Sequence, residues 1–243
     1  MADLTTFTQG SVLHLFCLVV CLILTTVAAT LARRDLREGR ANSVIRDGIA
    51  AGCVLSWCLS NGYGILPGKF SWDQSLPLHF CNLANLIGAV AVRYRFRTAQ
   101  SLMYFWTFGL CLWAFLTPSL YVGPLDPWFW LFWLYHVFIL ISVIWILVAD
   151  RFRPGWRDCG RSLILTLIYM AILTVLDYFT GWNYGFVGPS VPDQTTILDF
   201  LGPYPIRLLW MALVGTGIFA LLLVPWIRWR PERKTGIPSR SSL

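Results

Sequence analysis

Apolar residues in this chain gather into seven runs, several close to the roughly 20 residues that a helix needs to cross about 30 Å of hydrocarbon. The runs cover about 12–32, 48–66, 76–92, 99–117, 128–149, 161–180 and 206–227. Polar and turn-forming residues return between them, and no stretch offers a separate soluble domain. The pattern predicts an all-α fold, a polytopic membrane protein with one domain of seven transmembrane helices. The first run is not read as a cleaved leader. Met1 to Ser11 carries no Lys or Arg, and Arg33-Arg34 follows the run as a stop signal.

The charges between the runs give the prediction a direction. Arg33, Arg34, Arg37, Arg40 and Arg46 lie between runs one and two, and Arg93, Arg95 and Arg97 between three and four. Arg151, Arg153, Arg157 and Arg161 lie between five and six, and Arg228, Arg230, Arg233, Lys234 and Arg240 follow run seven. With seven spans, 17 of the 19 Lys and Arg share one side, leaving Lys69 and Arg207 on the other. Basic loops stay in the cytoplasm. The N-terminus is therefore expected outside, the C-terminus and the basic tail 228–243 inside, and the protein in the plasma membrane.

Composition agrees: 57% of the 243 residues are hydrophobic and 13% charged, against about 25% charged in average chains. The net charge of +7 reflects these loops, so membrane lipids rather than nucleic acid are the expected partners. Six of the seven cysteines (17, 21, 53, 58, 81 and 111) fall in runs and Cys159 in a cytoplasmic loop, so no disulfide framework is expected. Cys17 and Cys21 share a helix face without a third ligand and read as packing.

Polar groups inside hydrocarbon are costly and mark functional sites by default. In run three, His79-Phe80-Cys81-Asn82-Leu83 follows Leu76-Pro77-Leu78. At 1.5 Å per residue Cys81 sits roughly 8 Å below Leu76, and His136 roughly 12 Å below Trp128. His14, Ser60, Asn61, Asp177 and Arg207 fall in the same outer half, which predicts a polar chamber opening outward. On a helical wheel with His79 at zero, Cys81 falls at ~200°, Asn85 at ~240° and Asn82 at ~300°. Phe80, Leu83, Ala84 and Ile87 fill the other side. Residues two apart face away from each other, so His136 rather than His79 is the expected base for a Cys81 nucleophile. Asp177 is placed to orient an imidazole or to balance Arg207. Asn82 and Asn85 read as interhelical hydrogen bonds or as substrate contacts.

The one long connection, 181–205, holds Asn183 and Tyr184 and is broken by Gly185, Gly188, Pro189, Pro192, Gly202, Pro203 and Pro205. Asp193 or Thr195 is placed to cap a short surface helix over 196–201, ended by Gly202. Such a helix is expected to close over the chamber.

Leu76-Pro77-Leu78-His79-Phe80-Cys81, the histidine of run five, Asn183-Tyr184 and Leu198-Asp199-Phe200-Leu201-Gly202-Pro203-Tyr204-Pro205 together resemble the YwaF-type seven-span membrane proteins of bacteria over nearly the whole chain. That family is similar to a vertebrate seven-span acyltransferase of ether phospholipids and, more remotely, to the androgen-induced membrane hydrolases. The resemblance implies Cys81 and His136 as the catalytic pair. The expected function is lipid acyl transfer or acyl-ester hydrolysis without a cofactor. In it Cys81 attacks an ester, His136 takes the proton, Asn82, Asn85 or Asn183 donates to the oxyanion, and His79 positions a head group. Two other classes use the same residues. One is a zinc hydrolase drawing ligands from His14, His79, His136 and Asp177. The other is a transporter or receptor, against which stands the lack of polar residues in the inner halves.

Overall fold

The computed structural model describes residues 4–39, 44–189 and 200–227. Helices α1 (Val12–Arg37), α2 (Val44–Gly64), α3 (Phe80–Tyr94) and α4 (Arg97–Trp106) come first. A π turn at Thr107–Cys111 then leads into the single turn α5 (Trp113–Leu116). Helices α6 (Pro127–Val148) and α7 (Trp156–Thr180), a 3₁₀ turn at Tyr184–Phe186 and α8 (Ile206–Ile227) complete the chain. Among the described residues the fold is all helical apart from one antiparallel bridge, Thr6 with Val122. Residues 196–199 of the expected surface helix over 196–201, and the basic tail 228–243, lie outside the described residues.

Five helices are long and apolar enough to cross a membrane: α1, the rod Arg97–Leu116, α6, α7 and α8. Two predicted spans are weaker. Helix α2 carries Arg46 and Asp47 in its first turn and Ser56, Ser60 and Asn61 further on, and α3 is 15 residues long. Arg46, Ser56 and Ser60 of α2 and Asn85 of α3 are buried among neighbouring helices, whereas Asp47 and Arg93 are exposed. The most apolar 18 residues are 61% buried in the Arg97–Leu116 rod and 56% in α6, but 22% in α1, 17% in α7 and 11% in α8. Helix α6 is thus the hub, touching α1, α2, α3 and α4, while α1, α7 and α8 turn leucine, isoleucine and valine side chains outward. Close approach to the hub needs small residues: a Cβ at Gly52 of α2 would lie 2.1 Å from the Phe138 ring.

Helix ends follow capping chemistry. Asp126 caps α6, accepting from the Trp128 amide at 2.8 Å with Pro127 in the first turn. Burial alone would raise its carboxyl. The Trp128 amide, the Tyr63 hydroxyl at 2.8 Å and Lys69 outweigh that and hold it below the usual range. Gly181 ends α7 with φ 75°, a left-handed conformation that glycine adopts without strain.

The polar contacts show that the rods alternate in direction. At one end Asp150, after α6, binds Arg46 of α2 and accepts from Gln100 of α4 at 3.0 Å, with Arg95 after α3 at 3.3 Å. There too Arg97 pairs with Asp158 of α7. At the other end Tyr63 of α2 meets Asp126 of α6, and His14 of α1 meets Phe115 of α5. This corrects one expectation. Arg46 reads in sequence as a solvated linker residue and the inner halves as free of polar groups. Instead Arg46 is 1% exposed inside α2. Its charge is matched by Asp150 and its guanidinium lies 5.7 Å from the Trp145 ring centre.

Candidate functional site

Run three does not become helical where the apolar pattern begins. Leu76–Leu78 stay off the helix and His79 is the N-cap of α3, with extended φ −70°, ψ 149°. Pro77 explains part of this, since the residue before proline avoids the helical region. Hydroxyls explain the rest, because they satisfy the backbone groups that a helix would have used. The Leu76 amide donates to the Tyr184 hydroxyl at 2.9 Å, and Tyr169 donates to the Leu78 carbonyl at 2.7 Å. The wheel placing His79 on α3 is corrected accordingly: His79 precedes the helix and Cys81 is its second residue.

Cys81 is half-buried and meets partners from two other rods. Its thiol interacts electrostatically with the His136 imidazole on α6 and with the Cys111 thiol at the end of the π turn. His136 Nδ1 lies 2.8 Å from the Phe132 carbonyl. A carbonyl only accepts, so Nδ1 carries the hydrogen and Nε2 keeps the lone pair. The imidazole is thereby fixed as a base, 6% exposed, in a cage with Phe132 and Phe115. The π turn sets the third partner. Leu112 donates to the Thr107 carbonyl at 2.8 Å, a five-residue spacing, and Gly109 fits beside Phe219, 2.8 Å from where its Cβ would be.

The asparagines hold helices together. Asn85, fully buried, donates to the Tyr135 carbonyl at 2.9 Å and accepts from Ser56 at 3.4 Å, joining α3 to α6 and α2. Asn82 donates to Asn61 at 2.9 Å. Asn183 accepts from the Gly188 amide at 2.9 Å inside its own loop. Of the three amides expected to serve an oxyanion, Asn82 and Asn85 already donate to protein partners, whereas Asn183 is engaged as an acceptor.

Residues 182–188 form a strap over the start of α3. Tyr184, fully buried, donates to the Trp72 carbonyl at 2.7 Å while receiving the Leu76 amide, and its ring lies 5.1 Å from that of His79. The Gly185 amide donates to His79 Nδ1 at 3.3 Å, leaving the hydrogen on Nε2. The tight path needs glycine: a Cβ at Gly188 would sit 1.9 Å from the Trp182 carbonyl oxygen. Arg207, in the first turn of α8 and 6% exposed, donates to the Gly188 carbonyl and ties the strap down. No ion pair joins it to Asp177, so the expected balance between those two is not made. Asp177 is fully buried and neither carboxylate oxygen completes a hydrogen bond, although the Tyr184 amide is close enough to act on it.

Tyr184→Phe removes one hydroxyl and two backbone contacts. The loss is expected at about 1–3 kcal/mol, with faster protease cleavage near Trp72 and Trp182 while distal loops stay intact. Unchanged cleavage would refute the pin. Burial chiefly raises the Tyr184 phenol above its usual range, with Asp73 and Asp177 adding to the rise and the Leu76 amide opposing it. The pin is therefore fully present below pH of about 10, the unfolded value, and is lost only as pH rises through the higher folded value.

His14 lies apart from this site. Its Nε2 donates to the Phe115 carbonyl at 2.8 Å and its Nδ1 accepts from the Gly10 amide at 3.0 Å, so neither nitrogen can bind a metal without breaking a contact. No group of three or more His, Cys, Asp or Glu converges among the described residues. The zinc ligand set drawn from His14, His79, His136 and Asp177 is not assembled.

Two neighbours of Cys81 escape sequence reading. Cys111 looks like ordinary packing because only the π turn aims it at α3. Tyr135 looks like an interfacial aromatic, yet it is 6% exposed beside the thiols. Depth alone carried a signal, since both lie in the part of their runs that holds His136.

A family model described as the TMEM164 family matches residues 6–223, which include every residue of the site. No curated protein matches, and no solved structure matches.

Proposed function

The chain belongs to the TMEM164 family of membrane proteins, and from that premise we propose a lipid acyltransferase or acyl-ester hydrolase with Cys81 as nucleophile and His136 as base. One observation carries the reading: the Cys81 thiol is in electrostatic interaction with an imidazole whose Nδ1 is held by the Phe132 carbonyl. A thiol in apolar surroundings is a weak nucleophile until a base takes its proton. His136 Nε2 accepts that proton as sulfur bonds to the ester carbonyl carbon and the carbonyl electron pair moves to oxygen. Collapse expels the alcohol, which leaves with the proton from Nε2, and Cys81 carries the acyl group as a thioester. A second hydroxyl, from an acceptor lipid or from water, then gives its proton to His136 and takes the acyl group.

The same reading sets all seven rods across the membrane, with the N-terminus outside, the C-terminus cytoplasmic and the site toward the outer leaflet of the plasma membrane. Helix alternation and the arginine-rich end support it, and a lipid ester at this depth is in reach. His79 and Asn82 flank Cys81 in the chain and serve as head-group contacts, while Asn183, Tyr184 and Arg207 order the strap and Asp177 lies buried at the end of α7.

The test is to incubate the purified protein with phospholipid labelled in one acyl chain and map the label by peptide mass. An acyl thioester on Cys81, released by hydroxylamine, is expected. Label absent from Cys81 while lipid is still consumed would exclude this nucleophile.

A further inference from the structure

Buried hydroxyls in an apolar bundle find acceptors, because hydrocarbon offers none. Thr166 and Ser142 bond back to the preceding turn, and Tyr104 reaches the Leu222 carbonyl at 2.8 Å. Tyr135 departs from this habit, as Ser60 and Thr107 do, but of the three it is the one in electrostatic reach of both thiols. It is 6% exposed, and its hydroxyl is buried without a hydrogen-bond partner. It packs in one cluster with Cys81, Cys111 and Phe80, and its phenol lies within electrostatic reach of both thiols. Its backbone is fixed, because Asn85 of α3 donates to its carbonyl at 2.9 Å, and the next residue in the chain is His136. A rigid O–H donor beside the nucleophile, with nothing to donate to, suits an acceptor that exists only during reaction.

We propose that Tyr135 is a catalytic residue, donating its hydroxyl hydrogen to the oxyanion formed when Cys81 attacks an ester carbonyl. The inference rests on the acyl-transfer reading above and supplies a donor where Asn82 and Asn85 already give amide hydrogens to protein partners. In the step, the sulfur–carbon bond forms and the thiol proton passes to His136 Nε2. The former carbonyl oxygen takes the electron pair and accepts the Tyr135 hydrogen bond. As the carbonyl re-forms and the alkoxide leaves with the His136 proton, that bond weakens again. Tyr135 keeps its own proton throughout.

Two reactions of the same thiol separate this role from a structural one. Acylation of Cys81 by p-nitrophenyl octanoate passes through an oxyanion. Alkylation by iodoacetamide does not, since attack is at a saturated carbon. Both are followed by peptide mass on full-length protein in detergent, with melting as a check of folding. Tyr135→Phe is expected to slow acylation roughly 100-fold and leave alkylation within about twofold. Acylation at the wild-type rate would overturn the proposal. So would parallel slowing of both reactions, which would show that the phenol only holds the thiol in place. If wild-type Cys81 is alkylated but never acylated, the acyl-transfer reading itself fails and Tyr135's role goes with it.

Discussion

Cys81→Ala and His136→Ala are each expected to lower acyl transfer from phospholipid by at least about 10³-fold. The size follows from their interdependence. A positioned acid–base group contributes roughly 10²–10⁴ in rate, and a nucleophile without its base retains little of its own contribution. Removing both should therefore cost no more than removing the worse one. Neither change should unfold the protein. Cys81 is half-buried, and the Phe132 carbonyl that His136 occupies can also serve the helix ladder. Residual activity of His136→Ala should rise about tenfold per pH unit up to the thiol's own pKa, because only solvent then removes the proton. Cys17→Ala is the proper control, since Cys17 is buried on α1 among Phe7, Phe115 and Trp133. Cys111 is not a neutral control, because its thiol interacts electrostatically with that of Cys81. Transfer by Cys81→Ala or His136→Ala within tenfold of wild type would end the thiol mechanism.

Asp150→Ala should be the most destabilising single change at the arginine-rich end, at about 3–5 kcal/mol. Arg46 and Asp150 side chains are 1% and 5% exposed. Removing the carboxylate leaves Arg46 beside the Val92 carbonyl and the Trp145 face, without the charge that offsets its desolvation. Arg95 and Gln100 lose the same partner. Asp47 supplies the comparison. Its pair with Arg93 at 3.0 Å has side chains 55% and 46% exposed, so Asp47→Ala should cost under about 1 kcal/mol. Thermal melts in one detergent compare the two. The variant Arg46→Met placed on Asp150→Ala should recover part of the loss, because an apolar side chain of similar length carries no charge to desolvate. Equal melting of Asp150→Ala and Asp47→Ala would show the buried pair to be unimportant.

Much of the fold is legible because hydrocarbon punishes polar backbone uniformly, and the pattern it enforces is local. Apolar runs located all the rods to within a few residues at most ends, and Asp126-Pro127 and Gly181 mark ends whose chemistry is visible in the sequence. The run at 76–92 misled by four residues. Its first turn is apolar enough for a helix, but Tyr184 and Tyr169, remote in sequence, take up its backbone groups. The π turn at Thr107–Cys111 had no sequence mark beyond Gly109, since a widened turn depends on what packs against it.

The same division runs through the site. From the sequence came the residue types and the proposal that pairs Cys81 with His136 rather than His79. Those follow from helix periodicity and from the cost of polar groups in lipid, which act on each run separately. Tertiary structure alone decided that Cys111 and Tyr135 pack in one cluster with Cys81, that Asn82 and Asn85 donate to other helices, and that Arg46 is buried against Asp150. Each of these depends on the rotation of one helix about its axis relative to another, and that angle is fixed by packing between rods rather than by the pattern within any one of them.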